Sequence, residues 1–162
     1  MKAHLLKISS IVILLHLFSC KKFYEKHYHI KVYKNGVEQW ANISYFTIEK
    51  NKQLTIEIKF NGYKEWLSLT VIDSTGVKTQ NYIVAKALSL KTNYAAAGYT
   101  YRQDHRHYYS FRTDSVYSGR LTLTKIEADK VSGSFAFAAK ELSPPNGEVY
   151  SFIGSFTDLK RD

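Results

Sequence analysis

Several residue types that would constrain or interrupt a fold are scarce in this sequence. There is one cysteine, and there are only two prolines and eight glycines among 162 residues. A single cysteine excludes an intramolecular disulfide and a cysteine-rich zinc site. So few glycines exclude a collagen-like protein or a glycine-rich linker. The length suits one domain with a core of its own.

Aromatic and basic residues are abundant instead. The chain is 44% apolar and 15% aromatic, with 13 tyrosines, so its composition excludes an intrinsically disordered protein. Lys plus Arg is 23 against 14 Asp plus Glu, which gives a formal net charge of +9. Basic and aromatic residues together also occur in nucleic-acid-binding proteins, but the export signal at the N-terminus argues against nucleic acid as a partner.

The N-terminus has the pattern of an export signal. Lys2 and Lys7 precede an apolar core within Ile8 to Phe18. That core is roughly ten residues long, about half of the 20 that a bilayer-spanning helix needs. The pattern therefore predicts a signal peptide rather than a transmembrane helix.

The only cysteine follows this apolar segment directly. Leu17-Phe18-Ser19-Cys20 resembles a bacterial lipobox, in which a diacylglyceryl group is attached to the cysteine sulfur and the chain is cut before that residue. We therefore predict a signal peptide at 1–19, a lipid-anchored tether at 20–26 that starts with lipidated Cys20, and a single β domain at 27–162. The alternative is an ordinary secretory signal with a chance cysteine.

The predicted anchor places the protein in the cell envelope. Two or three acyl chains hold a protein firmly on a bilayer, and Lys21 and Lys22 each add about 1 kcal/mol against anionic head groups. Lys21 stands where lipoproteins retained at the inner membrane commonly have aspartate, so we expect the outer membrane. The residues after Cys20 are not acidic, which leaves both the periplasmic face and the cell surface open.

The rest of the chain alternates between apolar and polar residues. Leu54, Ile56, Ile58 and Phe60, for example, are separated by single polar residues, which is typical of antiparallel strands with one buried face. We predict an all-β fold, an antiparallel meander of about nine or ten strands in a flattened barrel or a β-sandwich. The predicted strands are 27–34, 37–40, 43–49, 54–60, 66–73, 79–85, 97–101, 118–126, 130–139 and 148–157, with hairpin turns at Asn35-Gly36 and Asn61-Gly62.

Several structural motifs resemble a known family. They are the lipobox, Asn35-Gly36 followed by Trp40, a glycine-led hairpin at 119–139, and a last strand that ends in Gly154-Ser155-Phe156. Together they resemble an uncharacterised family of small all-β lipoproteins from Bacteroidetes-type bacteria. The resemblance implies fold and location, and it implies no activity.

Two His-x-His pairs are candidate metal ligands. His27 and His29 form one pair and His105 and His107 the other. Side chains at i and i+2 of a strand share a face, so two such pairs suit Zn or Cu. His27 and His29 also share the polar face of their predicted strand, which favours plain solvent exposure. We therefore predict no metal site and no cofactor, and keep metal binding as an alternative.

A dense group of tyrosines and arginines between positions 94 and 117 predicts a partner-binding patch. Tyrosine and arginine are frequent at binding surfaces, because they bring a large contact area with a polar tip. Envelope proteins, glycans and anionic lipid head groups are the candidate partners. The alternative is that these residues line a strand edge. The predicted patch consists of Tyr99, Tyr101, Arg102, Arg106, Tyr108 and Tyr109.

The sequence contains no catalytic motif that points to an enzyme. There is no Gly-x-Ser-x-Gly nucleophile turn, and Asp104 next to His105 would place the two side chains on opposite faces of a strand. Asp73-Ser74-Thr75 and Asp114-Ser115-Val116 match a short O-glycosylation pattern, although Asp-Ser is also ordinary turn chemistry. We expect a binding or accessory module, with a small-ligand carrier that has an apolar barrel cavity as a further alternative.

Overall fold

A computed structural model describes residues 30–85, 93–104, 107–114, 116–142 and 147–162. Within these ranges the chain forms strands and no helix, which confirms the all-β prediction. The predicted signal peptide, the tether and residues 27–29 lie outside the described residues. The strands are β1 Ile30–Lys34, β2 Val37–Gln39, β3 Ala41–Glu49, β4 Gln53–Phe60, β5 Glu65–Asp73, β6 Asn81–Val84, β7 Asn93–Arg102, β8 Tyr108–Arg112, β9 Gly119–Ile126, β10 Lys130–Glu141 and β11 Val149–Lys160.

Five of these strands close into a small barrel. The hydrogen-bonded ring runs β7–β8–β10–β9–β6 and returns to β7. From β7 the sheet continues through β5 and β4 to β3, and from β10 it continues through β11 and β1 to β2. These two extensions are the arms of the sheet. They meet where Phe46 of β3, at the end of one arm, bridges Arg161, just after β11 of the other arm.

The strand order is a meander only in part. β3–β4–β5 and β9–β10–β11 are consecutive antiparallel ladders, as predicted. β5, however, pairs with β7 rather than β6, and β6 runs parallel to β7 through Val84 and Ala95. The alternation of apolar and polar residues predicts no strand at the position of β8. In the structure only Phe111 among the five residues of β8 is buried.

The predicted hairpin turns occur where asparagine and glycine accept positive φ. Asn35 (φ 51°) and Gly36 (φ 80°) form the two-residue connection between β1 and β2. Asn61 and Gly62 belong to a longer turn, because Tyr63 also has positive φ and β5 starts only at residue 65.

One apolar core receives side chains from every strand except β2. The buried positions alternate along the strands, as in β4 and β5, so the face of the sheet that carries them is called the core face below. Burying this apolar surface is the main favourable term in folding. None of the described residues forms a helix with the length and hydropathy needed to cross a bilayer.

Gly154 of β11 is required by close packing. A Cβ atom at this position would lie 2.6 Å from the carbonyl oxygen of Lys31 and would overlap the ring of Phe135. The aromatic ring therefore packs directly on the glycine backbone, between β1 and β10. This contact gives a physical reason for the Gly-x-Phe motif at the end of the chain.

We expect Gly154→Ala to lower the free energy of unfolding by about 1–3 kcal/mol, the usual cost of overpacking a well-packed site. Urea denaturation of the full-length protein measures this loss. Gly98→Ala is the matched control, because a Cβ atom there meets nothing nearer than the Phe111 carbonyl oxygen at 3.7 Å. Equal losses for the two variants would contradict the packing argument.

Candidate functional site

The strand pairing divides the predicted tyrosine and arginine patch between the two faces of the sheet. Tyr101 lies opposite Tyr109, and Arg102 lies opposite Tyr108, where β7 ends and β8 begins. Directly paired residues share a face and neighbours along a strand do not. Tyr101 and Tyr109 are therefore on the core face, and Arg102 and Tyr108 are on the outer face. Arg106 lies outside the described residues.

Tyr99 belongs to the core rather than to a surface patch. Its side chain is only 1% exposed, and its ring lies 5.4 Å from the ring of Phe111 and 5.0 Å from that of Phe152. A partner has no direct access to it. On the outer face, Tyr108 is 53% exposed and contacts Trp66 edge to face at 6.2 Å.

A cleft opens on the core face just beyond Tyr99. We call it the tyrosine cleft, and its volume is about 340 Å³. Tyr101, Tyr109 and Tyr150 all pack against the core while remaining partly exposed, so the cleft is the open end of the core. Such positions at the mouths of β-barrels are frequent ligand sites. The cleft is lined by Tyr101, Gln103, Tyr109, Phe111, Glu141, Glu148 and Tyr150.

Two aromatic pairs form the walls of the cleft. The rings of Tyr101 and Tyr109 lie 6.3 Å apart with an interplanar angle of 24°. Those of Phe111 and Tyr150 lie 4.6 Å apart at 30°. Such pairs contribute about 0.5–1.5 kcal/mol each beyond their buried area, so they fix the rings while leaving their edges accessible.

The polar groups of the cleft orient the tyrosine hydroxyls. Tyr109 donates to Oε1 of Gln103 at 3.0 Å, and Tyr150 donates to Oε2 of Glu148 at 2.6 Å. The bond to Glu148, then burial, then the negative charges of Glu148, Glu141 and Glu65 raise the pKa of Tyr150 to about 12. Tyr150 is therefore a neutral hydrogen-bond donor at physiological pH.

Two acidic residues of the cleft lie directly opposite each other on paired segments of the chain. The amide of Glu141 donates to the carbonyl oxygen of Glu148 at 2.9 Å, where β10 ends and the chain leads into β11. Both side chains line the cleft. Within the described part of the chain neither carboxylate belongs to an ion pair. Like charges placed directly opposite each other on paired strands are destabilising.

A buried ionic network lies behind the cleft. Glu65 is 5% exposed and accepts hydrogen bonds from Lys34 Nζ at 2.7 Å, from Asn61 Nδ2 at 3.0 Å and from the hydroxyl of Tyr99. Lys34 Nζ also lies 5.1 Å from the ring centroid of Tyr99 and 5.4 Å from that of Tyr150. Lys34 Nζ also donates to the hydroxyl of Tyr99 at 3.0 Å. The ammonium group is thus held by the Glu65 carboxylate, the Tyr99 hydroxyl and the ring of Tyr150.

The protonation states of this network follow from its contacts. Burial opposes ionisation of Glu65, but hydrogen bonds from Lys34, Tyr99 and Asn61 and the charge of Lys34 outweigh it and lower the pKa of Glu65. Burial, followed by the bond to Glu65, raises the pKa of Tyr99. Removing one partner of a buried ion pair costs about 3–5 kcal/mol, because the other charge is left uncompensated.

A larger groove of about 740 Å³ lies on the outer face of β5, β7 and β8. Its lining extends to Ala85, Asp114 and Leu142, each of which precedes residues outside the described ranges. The side chains of its floor are small and four of them carry hydroxyls, but Trp66, Phe111 and Leu142 also line the groove. The lining is therefore mixed, unlike the apolar cavity expected of a carrier. The floor residues are Ser68, Thr70, Ala96, Gly98, Thr100 and Ser110.

The histidines considered as candidate metal ligands lie mostly outside the described residues. His27, His29 and His105 lie there, and among the residues that are described no group of three His, Cys, Asp or Glu side chains could hold a metal ion. His107 pairs with Asp104 at 2.7 Å, and both side chains are more than half exposed.

The two short glycosylation patterns adopt turn geometry. Asp73 is fully buried and accepts bonds from the amide and hydroxyl of Thr75 at 2.9 and 2.8 Å. Ser74 is exposed between them. Asp114 Oδ1 accepts from the amides of Val116 and Tyr117 at 2.7 and 2.6 Å, and Ser115 lies outside the described residues. Both aspartates therefore have a structural role in their turns.

Comparisons with protein-family models, curated proteins and solved structures found no match to this chain. The tyrosine cleft is therefore the feature of the molecule from which a function can be inferred. Sequence reasoning found Tyr101 and Tyr109 but missed Glu141, Glu148 and Tyr150. The alternation of residues along the strands indicates two of these, Glu141 and Tyr150. Glu141 continues the alternation of Phe135, Phe137 and Ala139, and Tyr150 continues that of Phe152, so both lie on the core face beyond the apolar residues.

Proposed function

We propose that this protein is a lipid-anchored binding module of the cell envelope and that the tyrosine cleft is its recognition surface. The observation that supports this most is the change of residue type along the core face. Where the apolar core ends, Tyr101, Tyr109, Glu141 and Tyr150 follow in its place, and they enclose a cleft instead of filling it.

The chemistry of the cleft suits binding. Tyrosine rings supply contact area at a small cost in conformational entropy, and the hydrogen bonds of Tyr109 and Tyr150 hold two of these rings in place. A cleft of about 340 Å³ is at the small end of the range for ligand pockets. Its occupant is therefore a small molecule or one side chain of a larger envelope partner.

Among the described residues that line the cleft there is no serine, cysteine or histidine, and these are the usual nucleophiles of covalent catalysis. Binding rather than catalysis is for that reason the function we propose. Small-ligand transport and metal binding are left as the alternatives, and the outer groove with its mixed lining does not favour the first of them.

The lipid anchor determines the location of the cleft in the cell envelope. In our proposal residues 1–19 are removed and the lipid on Cys20 holds the protein on the outer membrane, at its periplasmic face or at the cell surface. Residues 20–29 connect the lipid to β1, and a chain of that length spans at most about 35 Å when extended.

We expect Cys20→Ser to abolish fatty-acid incorporation and to move the full-length protein from the detergent phase to the aqueous phase in Triton X-114 partition. The serine hydroxyl cannot form the thioether to the lipid. Ser19→Ala is the matched control, since it keeps a small residue before the cysteine and should stay in the detergent phase. A Cys20→Ser protein that remains in the detergent phase would refute lipid anchoring at this residue.

Photocrosslinking tests the recognition surface. With benzoylphenylalanine at Tyr109 in the native host, we expect an adduct of discrete mass after irradiation, measured by gel and by intact mass. The control places the same group at Thr124, which is exposed on β9 away from the cleft. No adduct at position 109, or the same adduct at both positions, would count against the cleft as the recognition surface.

A further inference from the structure

The charge of the tyrosine cleft is opposite to that of the protein. Lysines and arginines outnumber acidic residues 23 to 14 in the chain, yet the described residues that line the cleft include Glu141 and Glu148 and no basic side chain. The neighbouring Lys34 bonds to Glu65, so that its charge is already compensated. The cleft is therefore a local site of negative charge on a basic protein.

Glu141 and Glu148 are neighbours at the edge of the cleft, and among the described residues neither forms an ion pair. The backbone bond between Glu141 and Glu148 fixes them opposite each other, and the repulsion between them is unfavourable. Lys140, the residue next to Glu141, extends instead to the ring of Tyr117 at 5.8 Å. A positively charged ligand placed between the carboxylates would relieve the repulsion.

The protein itself shows how an ammonium group fits beside these tyrosines. Lys34 Nζ lies 2.7 Å from Glu65, donates to the Tyr99 hydroxyl at 3.0 Å and lies 5.4 Å from the ring centroid of Tyr150. Cations are attracted to the faces of aromatic rings, more strongly when they are removed from water. The cleft repeats this combination of carboxylate and tyrosine one step further out, with no lysine among its described lining residues.

We propose that the tyrosine cleft binds the ammonium group of an organic cation, with Glu141 and Glu148 as counterions and Tyr101 and Tyr109 against its methylene or methyl groups. This inference rests on the proposed function and adds the chemical class of the ligand. A primary ammonium, as on a lysine side chain, and a quaternary ammonium share this chemistry. The test separates them.

The test titrates the full-length protein, with 13C-labelled tyrosine and in a non-ionic maltoside detergent, while NMR follows the tyrosine ring signals. The probes are n-butylammonium, choline and 3,3-dimethylbutan-1-ol, a neutral molecule shaped like choline, at constant ionic strength. We expect saturable shifts of the Tyr101 and Tyr109 signals with at least one cation, and binding of the alcohol weaker by about tenfold or more. The cation that binds more tightly identifies the kind of ammonium group.

Charge-neutral variants complete the test. Glu141→Gln with Glu148→Gln should raise the dissociation constant of the cation by about tenfold or more, whereas Glu49→Gln, at an exposed position on β3, should leave it unchanged. Equal binding of choline and the alcohol, or no effect of the double variant, would overturn the inference. If neither cation binds while position 109 still crosslinks to a partner, the cleft is a recognition surface for another class of ligand.

Discussion

Lys34 donates to Glu65 at 2.7 Å inside the open end of the core, and both the fold and the candidate site depend on this ion pair. β1 and β5, which carry the two residues, lie on opposite arms of the sheet and share no backbone ladder. Tyr99 of β7 joins them through its bond to Glu65. Three strands are thus connected by side chains where the apolar core no longer connects them. The favourable geometry comes with a constraint, because each charge is costly to bury without the other.

The same network supports the tyrosine cleft. The ring of Tyr99 contacts Tyr150 at 5.8 Å, and Lys34 Nζ lies against the Tyr150 ring from the core side. Tyr150 in turn directs its hydroxyl to Glu148. Glu65 is therefore linked through two aromatic rings and one ammonium group to the outer wall of the cleft. A cleft with such support is preorganised, which lowers the entropic cost of binding.

The sequence predicts well what depends on local periodicity and turn chemistry. The alternation of Leu54 to Phe60 specifies both a strand and its buried face, and Asn35-Gly36 specifies a hairpin because both residues accept positive φ. β8 escapes this reasoning, because large rings lie on both of its faces: Tyr108 packs on Trp66, and Tyr109 lines the cleft. Its pairing with β7 and β10 is a property of the assembled sheet.

Non-local pairing accounts for what the sequence leaves open about the site. Glu65 and Lys34 are 31 residues apart, and nothing in the local pattern of either indicates a buried partner. Glu141 and Glu148 face each other only because β10 and β11 pair in this register. Tyr99 resembles its neighbours in the predicted patch, and only its register with Phe111 shows that it is buried. Residue type thus predicts a tyrosine-rich surface, and topology decides which tyrosines form it.

The most direct test of the central ion pair is the pH dependence of stability, measured by urea unfolding of the wild-type protein and of Glu65→Gln. The pKa of Glu65 in the folded protein is lowered from its ordinary value of 4.5. Its charge therefore stabilises the fold fully above that value, and the contribution is lost as the pH falls through the lower folded pKa. We expect wild type to be more stable than Glu65→Gln at neutral pH and the difference to shrink towards about pH 3. A difference that stays constant across this range would contradict the account.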